Sequence, residues 1–235
     1  ALRGDLGRSY IGNKDIAQEL MTRLPITLKV SLAAMLAAVV FGVGGGVLMA
    51  ACHGTWLDTV LKGLSTLLLS VPGFWLALVS VLLFSLTLRW LPATGLEHWY
   101  SYILPVLANA LPSVANVARM ARSSTLEVIR MDYIRTARSK GISEFKVIYK
   151  HALRNALLPV VTYIGPMVAS IVTGSFVIET VFGIPGVGQL FTDSIVNRDY
   201  PLIMGITVFF AVLLVLAVLI VDLVYVLIDP RIKLD

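Results

Sequence analysis

Residues Tyr200 to Val221 read YPLIMGITVFFAVLLVLAVLIV, 22 residues without a charge between Asp199 and Asp222. A helix needs about 20 apolar residues to cross the hydrocarbon core of a bilayer. A run this apolar has no polar face to turn to water, so it predicts a membrane span. Four more uncharged runs lie upstream: Val30 to Cys52 (23 residues), Gly63 to Leu88 (26), Trp99 to Ala118 (20) and Asn155 to Ile178 (24). As helices of a soluble fold, five such runs would bury nothing but each other. They predict an all-α, polytopic membrane protein. The composition agrees, since 57% of the 235 residues are hydrophobic and 14% charged, against roughly a quarter charged in soluble domains. Mean hydropathy is +0.86. Too few charges remain to cover a soluble surface, which excludes a soluble domain and a disordered chain.

Within the spans, Pro72, Pro112, Pro159 and Pro166 predict kinks. Gly42, Gly44, Gly45 and Gly46 predict close helix packing. The single cysteine, Cys52, allows no internal disulfide and no cysteine-based metal site. His53, His98 and His151 are far apart and lack the spacing of a zinc site. No metal site and no redox enzyme is therefore expected.

Lys and Arg in short loops orient the chain. One side carries 12 of the 19 basic residues and the other 7. Nine of the 12 lie in the single segment Arg119 to Arg154. The richer side is read as cytoplasmic, with the C-terminus inside and residue 1 outside. The chain begins Ala-Leu-Arg without a signal peptide, so a sixth, N-terminal helix is expected to be absent from this sequence, which leaves five here. Residues 1–25 read as an extracytoplasmic, interfacial segment. In it Ile16, Leu20 and Leu24 form an apolar stripe, with Asn13 as N-cap and Pro25 as the stop. Glu179 and Asp222 bound spans: Glu179 is expected near the outer end, pairing with Arg198, and Asp222 at the inner interface or bonded to a neighbouring helix.

Two loops carry information beyond topology. In the basic loop 119–154, Asp132 is placed to cap a helix from Tyr133 to Lys140. Gly141 is placed as its left-handed C-cap, and Ser143 as the cap of a second helix from Glu144. Two capped helices around a glycine turn would make a rigid cytoplasmic knuckle. In the outer loop 180–199, the cluster Gly183, Pro185, Gly186 and Gly188 breaks regular helix. Val187, Leu190, Phe191 and Ile195 then fall on one face, which predicts a turn followed by a short re-entrant or surface helix. Irregular backbone at that depth must be buried or line a cavity, so the loop is a candidate outer gate.

Arg135-Thr136-Ala137-Arg138-Ser139-Lys140-Gly141, followed nine residues later by His151-Ala152-Leu153-Arg154, resembles the signature loop of inner-membrane permease subunits of binding-protein-dependent ABC importers, specifically the peptide/nickel branch. Arg135 and Thr136 stand where the general pattern has Glu and Ala, Ala137 and Gly141 match it, and only Leu153 matches its closing element. Gly4-Asp5-Leu6-Gly7, Trp90-Leu91-Pro92, Glu179 to Gly186, Asn197-Arg198-Asp199-Tyr200 and Asp229-Pro230-Arg231-Ile232 extend the resemblance over almost the whole chain. It is strongest to the first permease subunit of oligopeptide or dipeptide importers, a family with one further N-terminal helix.

The resemblance implies an ABC importer type I transmembrane domain over 26–229 and a cytoplasmic tail over 230–235. It also implies a role as half of a translocation pathway for oligopeptides or dipeptides, with nickel chelates and glutathione as the next candidates. Arg135, Thr136, Ala137, Arg138, Lys140 and Gly141, within 132–146, would couple to ATPase subunits, with Ala137 and Gly141 allowing close contact. Glu179, Phe182, Gly183, Pro185 and Gly186 would belong to the outer gate. The implied partners are a second permease subunit, two cytoplasmic ATPase subunits, an extracytoplasmic binding protein and the lipid of a bacterial inner membrane. The chain has no Gly-Lys dipeptide and hence no Walker A loop. It is expected to be no enzyme and to bind no cofactor, ATP and Mg being used by the partner ATPases. A secondary transporter would need paired intramembrane charges and an internal repeat, and no convincing repeat is present. A membrane scaffold with a docking loop is the remaining alternative. A loop charge of +6 over 119–154 would suit nucleic acid in a soluble protein; between membrane helices it points to anionic lipid and an ATPase.

Overall fold

The structure, a computed structural model, describes residues 6–143 and 146–228. Helices run in the order Ile16–Ala51 (α1), Trp56–Ser70 (α2), Gly73–Ser80 (α3), Ile103–Ile129 (α4), Asp132–Ser139 (α5), Leu158–Val181 (α6), Val187–Val196 (α7) and Tyr200–Ile228 (α8). A π-helical stretch Val147–Ala152 and a turn Leu153–Ala156 lead into α6. Among the described residues the only extended pairing is an isolated bridge between Arg8 and Asp15. This near-exclusive use of helix follows from hydrocarbon, which offers backbone amides no partner outside their own helix.

Among the described residues four helices are long and apolar enough to cross a membrane, and a fifth crossing arises if α2 and the segment from α3 to Thr87 count as one broken span. The predicted single helix Gly63 to Leu88 is therefore two helices. Pro72 has no N–H to donate and disfavours helical backbone at Val71. Val71 is extended accordingly, at φ −93 and ψ 126.

The N-terminal segment also differs from expectation. Pro25 lies inside α1 rather than ending it, because one missing amide is tolerated where both flanks of the helix remain bonded. Asn13 sits at φ 51 in the preceding turn, and the cap is Asp15, whose Oδ1 accepts from the Gln18 N–H at 3.0 Å. Ile16 and Leu20 are fully buried, so their stripe faces protein rather than an interface.

The chain divides into two compact units, one of Ala1–Met35, Pro72–Ala110 and Gly165–Asp235, the other of Leu36–Val71 and Leu111–Ile164. The first holds two cores. One gathers Ile16 and Leu20 with Val172, Leu190, Leu202, Ile206 and Phe210. The other gathers Val30, Ala77, Leu104 and Ala108 with Ile178, Phe182 and Ile184.

In the second unit α1 and α4 meet backbone to backbone. A Cβ on Gly42 would stand 2.6 Å from the Cβ of Val117, and one on Gly46 would stand 2.5 Å from the Ala118 carbonyl oxygen. Small residues permit this approach, which supplies the contact that hydrophobic burial cannot supply in lipid. A Cβ on Gly44 meets nothing within 4 Å. Gly46→Ala is expected to destabilise the solubilised protein by roughly 1–3 kcal/mol, and Gly44→Ala to leave it unchanged. Heating followed by size-exclusion chromatography reads the surviving fraction, and equal losses for the two variants would contradict the crossing.

Candidate functional site

The knuckle of the basic loop begins one residue earlier than its charge pattern predicts. Met131 takes the extended cap conformation, at φ −70 and ψ 150, and makes no side-chain cap bond. Asp132 is thus the first helical residue rather than the cap. Its carboxylate is fully exposed and lies 3.9 Å from Arg135 Nη1, a surface pair of small worth.

The other end of α5 is as expected. Gly141 has φ +73. Its N–H donates to the Arg138 carbonyl at 2.9 Å, and the Ile142 N–H to the Ala137 carbonyl at 3.4 Å. These are the two bonds of a Schellman close, which needs a left-handed residue where Gly141 stands. The predicted second helix opens on Glu144, and Glu144 and Phe145 lie outside the described residues. Lys146 is helical, and the Val147 N–H donates to the Ser143 carbonyl at 3.0 Å.

The knuckle sits on a small core of its own unit, where Ile134 and Ala137 pack with Val128, Val147, Ala152 and Ala156. Ala137 is 7% exposed. It seats α5 on its own chain. Arg135, Thr136, Arg138, Lys140 and Gly141 are exposed together. The result is a short, closed helix with its apolar side down and a basic side outward.

In the loop 180–199, expected to lie outside, α7 starts at Gly186, which has no side chain to cap it. Its first amides are satisfied from elsewhere. Glu179, at the end of α6 and fully buried, accepts with Oε2 from the N–H groups of Gly188 at 2.7 Å and Gln189 at 3.2 Å. Thr27 Oγ1 of α1 accepts from the Val187 N–H at 2.9 Å. A carboxylate at a helix N-terminus meets both unpaired donors and the positive end of the dipole. The expected partner Arg198 is therefore replaced by backbone. A Cβ on Gly186 would overlap the Glu179 carboxylate, and one on Gly188 would stand 2.5 Å from Phe176 Cα. The glycines of this motif make room for the acid.

Phe182 is buried, Pro185 is exposed, and Gly183 turns the chain at φ +61. The Gly95 N–H donates to the Phe182 carbonyl at 3.4 Å. Of the five expected gate residues, Glu179 and Gly186 meet directly, while the Asp222 side chain lies outside the described residues.

Two buried acids escaped the sequence reading. Asp199 caps α8 through the Leu202 N–H at 3.3 Å and holds the N-terminal segment through the Ser9 hydroxyl and the Tyr10 N–H, the latter at 3.1 Å. Burial opposes its charge, but the bonds from Ser9, Tyr10, Leu202 and Ile11 outweigh that and hold its carboxyl below the usual range. Asp58, fully buried at the start of α2, accepts a forked pair from Arg122, Nε to Oδ1 and Nη2 to Oδ2, both at 2.8 Å. A local signal was present, since Thr55-x-x-Asp58 is close to a capping box and the Asp58 N–H reaches Thr55 Oγ1 at 3.5 Å. Nothing local pointed to Arg122, 64 residues away.

Residues 42–234 match the family of binding-protein-dependent transport system inner membrane components. The chain is 45% identical over 231 residues to the dipeptide transport system permease protein DppB of Bacillus subtilis (strain 168), covering 98% of this chain and 75% of that protein. It is 42% identical over 234 residues to the oligopeptide transport system permease protein OppB of Haemophilus influenzae, covering 98% and 76%. It is 39% identical over 233 residues to the glutathione transport system permease protein GsiC of Escherichia coli O6:H1, covering 99% and 76%. Among solved structures, the inward-facing MetNI methionine ABC transporter superposes with a TM-score of 0.76 over 90% of this chain and 97% of that chain, at 18% identity. At that identity the likeness is one of fold. With its apolar crossings, the basic knuckle closed by Gly141 and the glycine-rich turn before α7, the chain is a multi-pass membrane protein that belongs to the family of binding-protein-dependent transport system inner membrane components.

Proposed function

We propose that the chain is one permease half of an ATP-driven importer of short peptides, and that α5 is the element through which ATPase subunits drive it. The observation that carries this reading is the knuckle. An exposed basic helix, closed at its C-terminal end by Gly141 and seated on a dedicated core, transmits a push, whereas a loop serving only as a topology signal needs no such seat. The names of the relatives, dipeptide and oligopeptide permeases at 45% and 42% identity, support peptides as cargo. The glutathione permease at 39% supports a second reading within the same chemistry, since glutathione is itself a small peptide.

Contacts within each unit support the alternation of loops. Asp58 to Arg122 ties the α1–α2 turn to the end of α4 that leads into the basic loop. Asp199 to Ser9 and Gly95 to Phe182 tie together the segments assigned to the other side. Taking the basic side as cytoplasmic places the C-terminus inside and α7 at the outer gate. The partners in this reading are a second permease, two ATPases that use ATP and Mg, and an extracytoplasmic binding protein.

Gly141→Trp forces a bulky residue into left-handed backbone, at about 1–2 kcal/mol, and crowds the exposed end of the knuckle. At constant expression it is expected to cut uptake of radiolabelled di- and tripeptides at least tenfold (about 1.4 kcal/mol) and to deplete ATPase subunits co-purified after mild solubilisation. Gly141→Asn, which tolerates the left-handed region, is expected to keep most of both. Uptake by Gly141→Trp at the parent rate, or uptake without ATP, would refute the coupling role.

Glu179→Gln keeps the size of the side chain and removes the charge at the α7 N-terminus, an interaction of roughly 1–2 kcal/mol. Ser194 of α7 is 2% exposed. In a Cys52→Ser background, Ser194→Cys is expected to stay unreactive toward a maleimide and to become reactive once Glu179→Gln is added. Unchanged labelling would mean that the acid does not hold the loop.

A further inference from the structure

The proposed coupling route ends at α5, and nothing in it uses the charged cluster that lies beside it in the same unit. Asp58 is fully buried, and both its oxygens are engaged by the Arg122 fork at 2.8 Å. The Gly54 N–H donates to Oδ2 at 3.2 Å, and Lys62 Nζ lies 3.5 Å from the same oxygen. Arg122 Nη2 also lies 3.1 Å from His53 Nδ1, and because a guanidinium only donates, that nitrogen accepts.

The fork is planar and bidentate, so it fixes orientation as well as distance. It also joins particular elements. Asp58 stands in the first turn of α2. Arg122 stands on α4, where Gly46 of α1 presses against the Ala118 carbonyl and the Arg122 N–H. Six residues further along α4, Val128 enters the core that seats Ile134 and Ala137 of α5. One helix thus carries the seat of the knuckle at its end and the clamp on α2 less than two turns before it.

We infer that Asp58 and Arg122 are positioning residues that lock the start of α2 to the stem of the coupling helix, so that α2 and α5 move as one body when the importer switches. The inference rests on the coupling role of α5, and its consequence is specific. A push delivered at α5 reaches α2, the first half of the broken span, without loss, and α2 does not follow α5 once the fork is gone. A purely structural pair would affect folding and assembly but would have no tie to switching.

The test uses the complete importer, both permeases and both ATPases, in nanodiscs and otherwise free of cysteine. Spin labels go on Thr59→Cys and Ser139→Cys, both exposed positions, in a Cys52→Ser background. The distance between them is measured without nucleotide and after trapping with ATP and vanadate. In the parent, a single distance is expected that changes by less than about 2 Å between states, as for a rigid element. In Asp58→Asn, and independently in Arg122→Lys, which keeps the charge but loses the fork, it is expected to shift or split by about 5 Å or more on trapping. ATP turnover is expected to stay within about threefold of the parent.

A parent distance that itself shifts on trapping overturns the inference. So do variants that keep the parent's single distance in both states, and failure of both variants to assemble, which marks the pair as merely structural. The coupling role is judged separately, by loss of ATP turnover in Gly141→Trp. If that variant turns over like the parent, the coupling reading fails, whatever the labels report.

Discussion

A polar group carried into hydrocarbon has no water to bond, and the architecture of this chain follows from where each such group finds its partner. Within a helix the ladder answers for all but the first amides and the last carbonyls. Helix ends are therefore where the protein spends its buried acids. Asp58 stands at the start of α2, Glu179 at the start of α7 and Asp199 at the start of α8, and all three are 1% exposed or less. Each meets at least one backbone N–H, and each adds a second bond that ties its helix to a distant segment or comes from one.

The three acids divide the work differently. Glu179 arrives from α6 and caps a helix that has only glycine to offer, so the turn around Gly186 and Gly188 is shaped to admit a carboxylate. Asp199 caps its own helix and draws in residues 9–11. Asp58 sits in the first turn of its helix and takes a guanidinium from α4. In each case helix dipole and hydrogen bonds act together, which is what makes a charge tolerable in such surroundings. Proton relays and ion-driven carriage need ionisable groups aligned with one another; Asp58 is engaged by Arg122, and Oε2 of Glu179 by the first amides of α7.

The proposed coupling knuckle obeys a different economy. Its polar side is wet and exposed, and its stability comes from a small aliphatic seat and a left-handed close at Gly141. Ala137 is informative here. It lies beneath the helix, packed in one cluster with Val128 and Ala152. The small residue serves the seat, and the basic residues around it serve the exterior.

The sequence by itself determined the class of protein, four of the five apolar crossings as single helices, the Schellman glycine at 141, and the turn and helix of the loop 180–199. These are local properties, since apolar length, glycine backbone freedom and Gly/Pro punctuation act within a few residues of themselves. Its errors were local as well: Pro25 did not end α1, the caps fell on Asp15 and Met131 rather than Asn13 and Asp132, and Pro72 split the second span. Only the tertiary structure decided who partners the buried acids and where the stripe of Ile16 and Leu20 faces. Glu179 meets backbone amides instead of Arg198, Asp58 meets Arg122 across 64 residues, and Asp199 meets Ser9 across 190. A buried charge is satisfied by whatever donor the packing of helices brings to it, and that packing is settled by close approaches such as Gly46 on Ala118, which no linear pattern records.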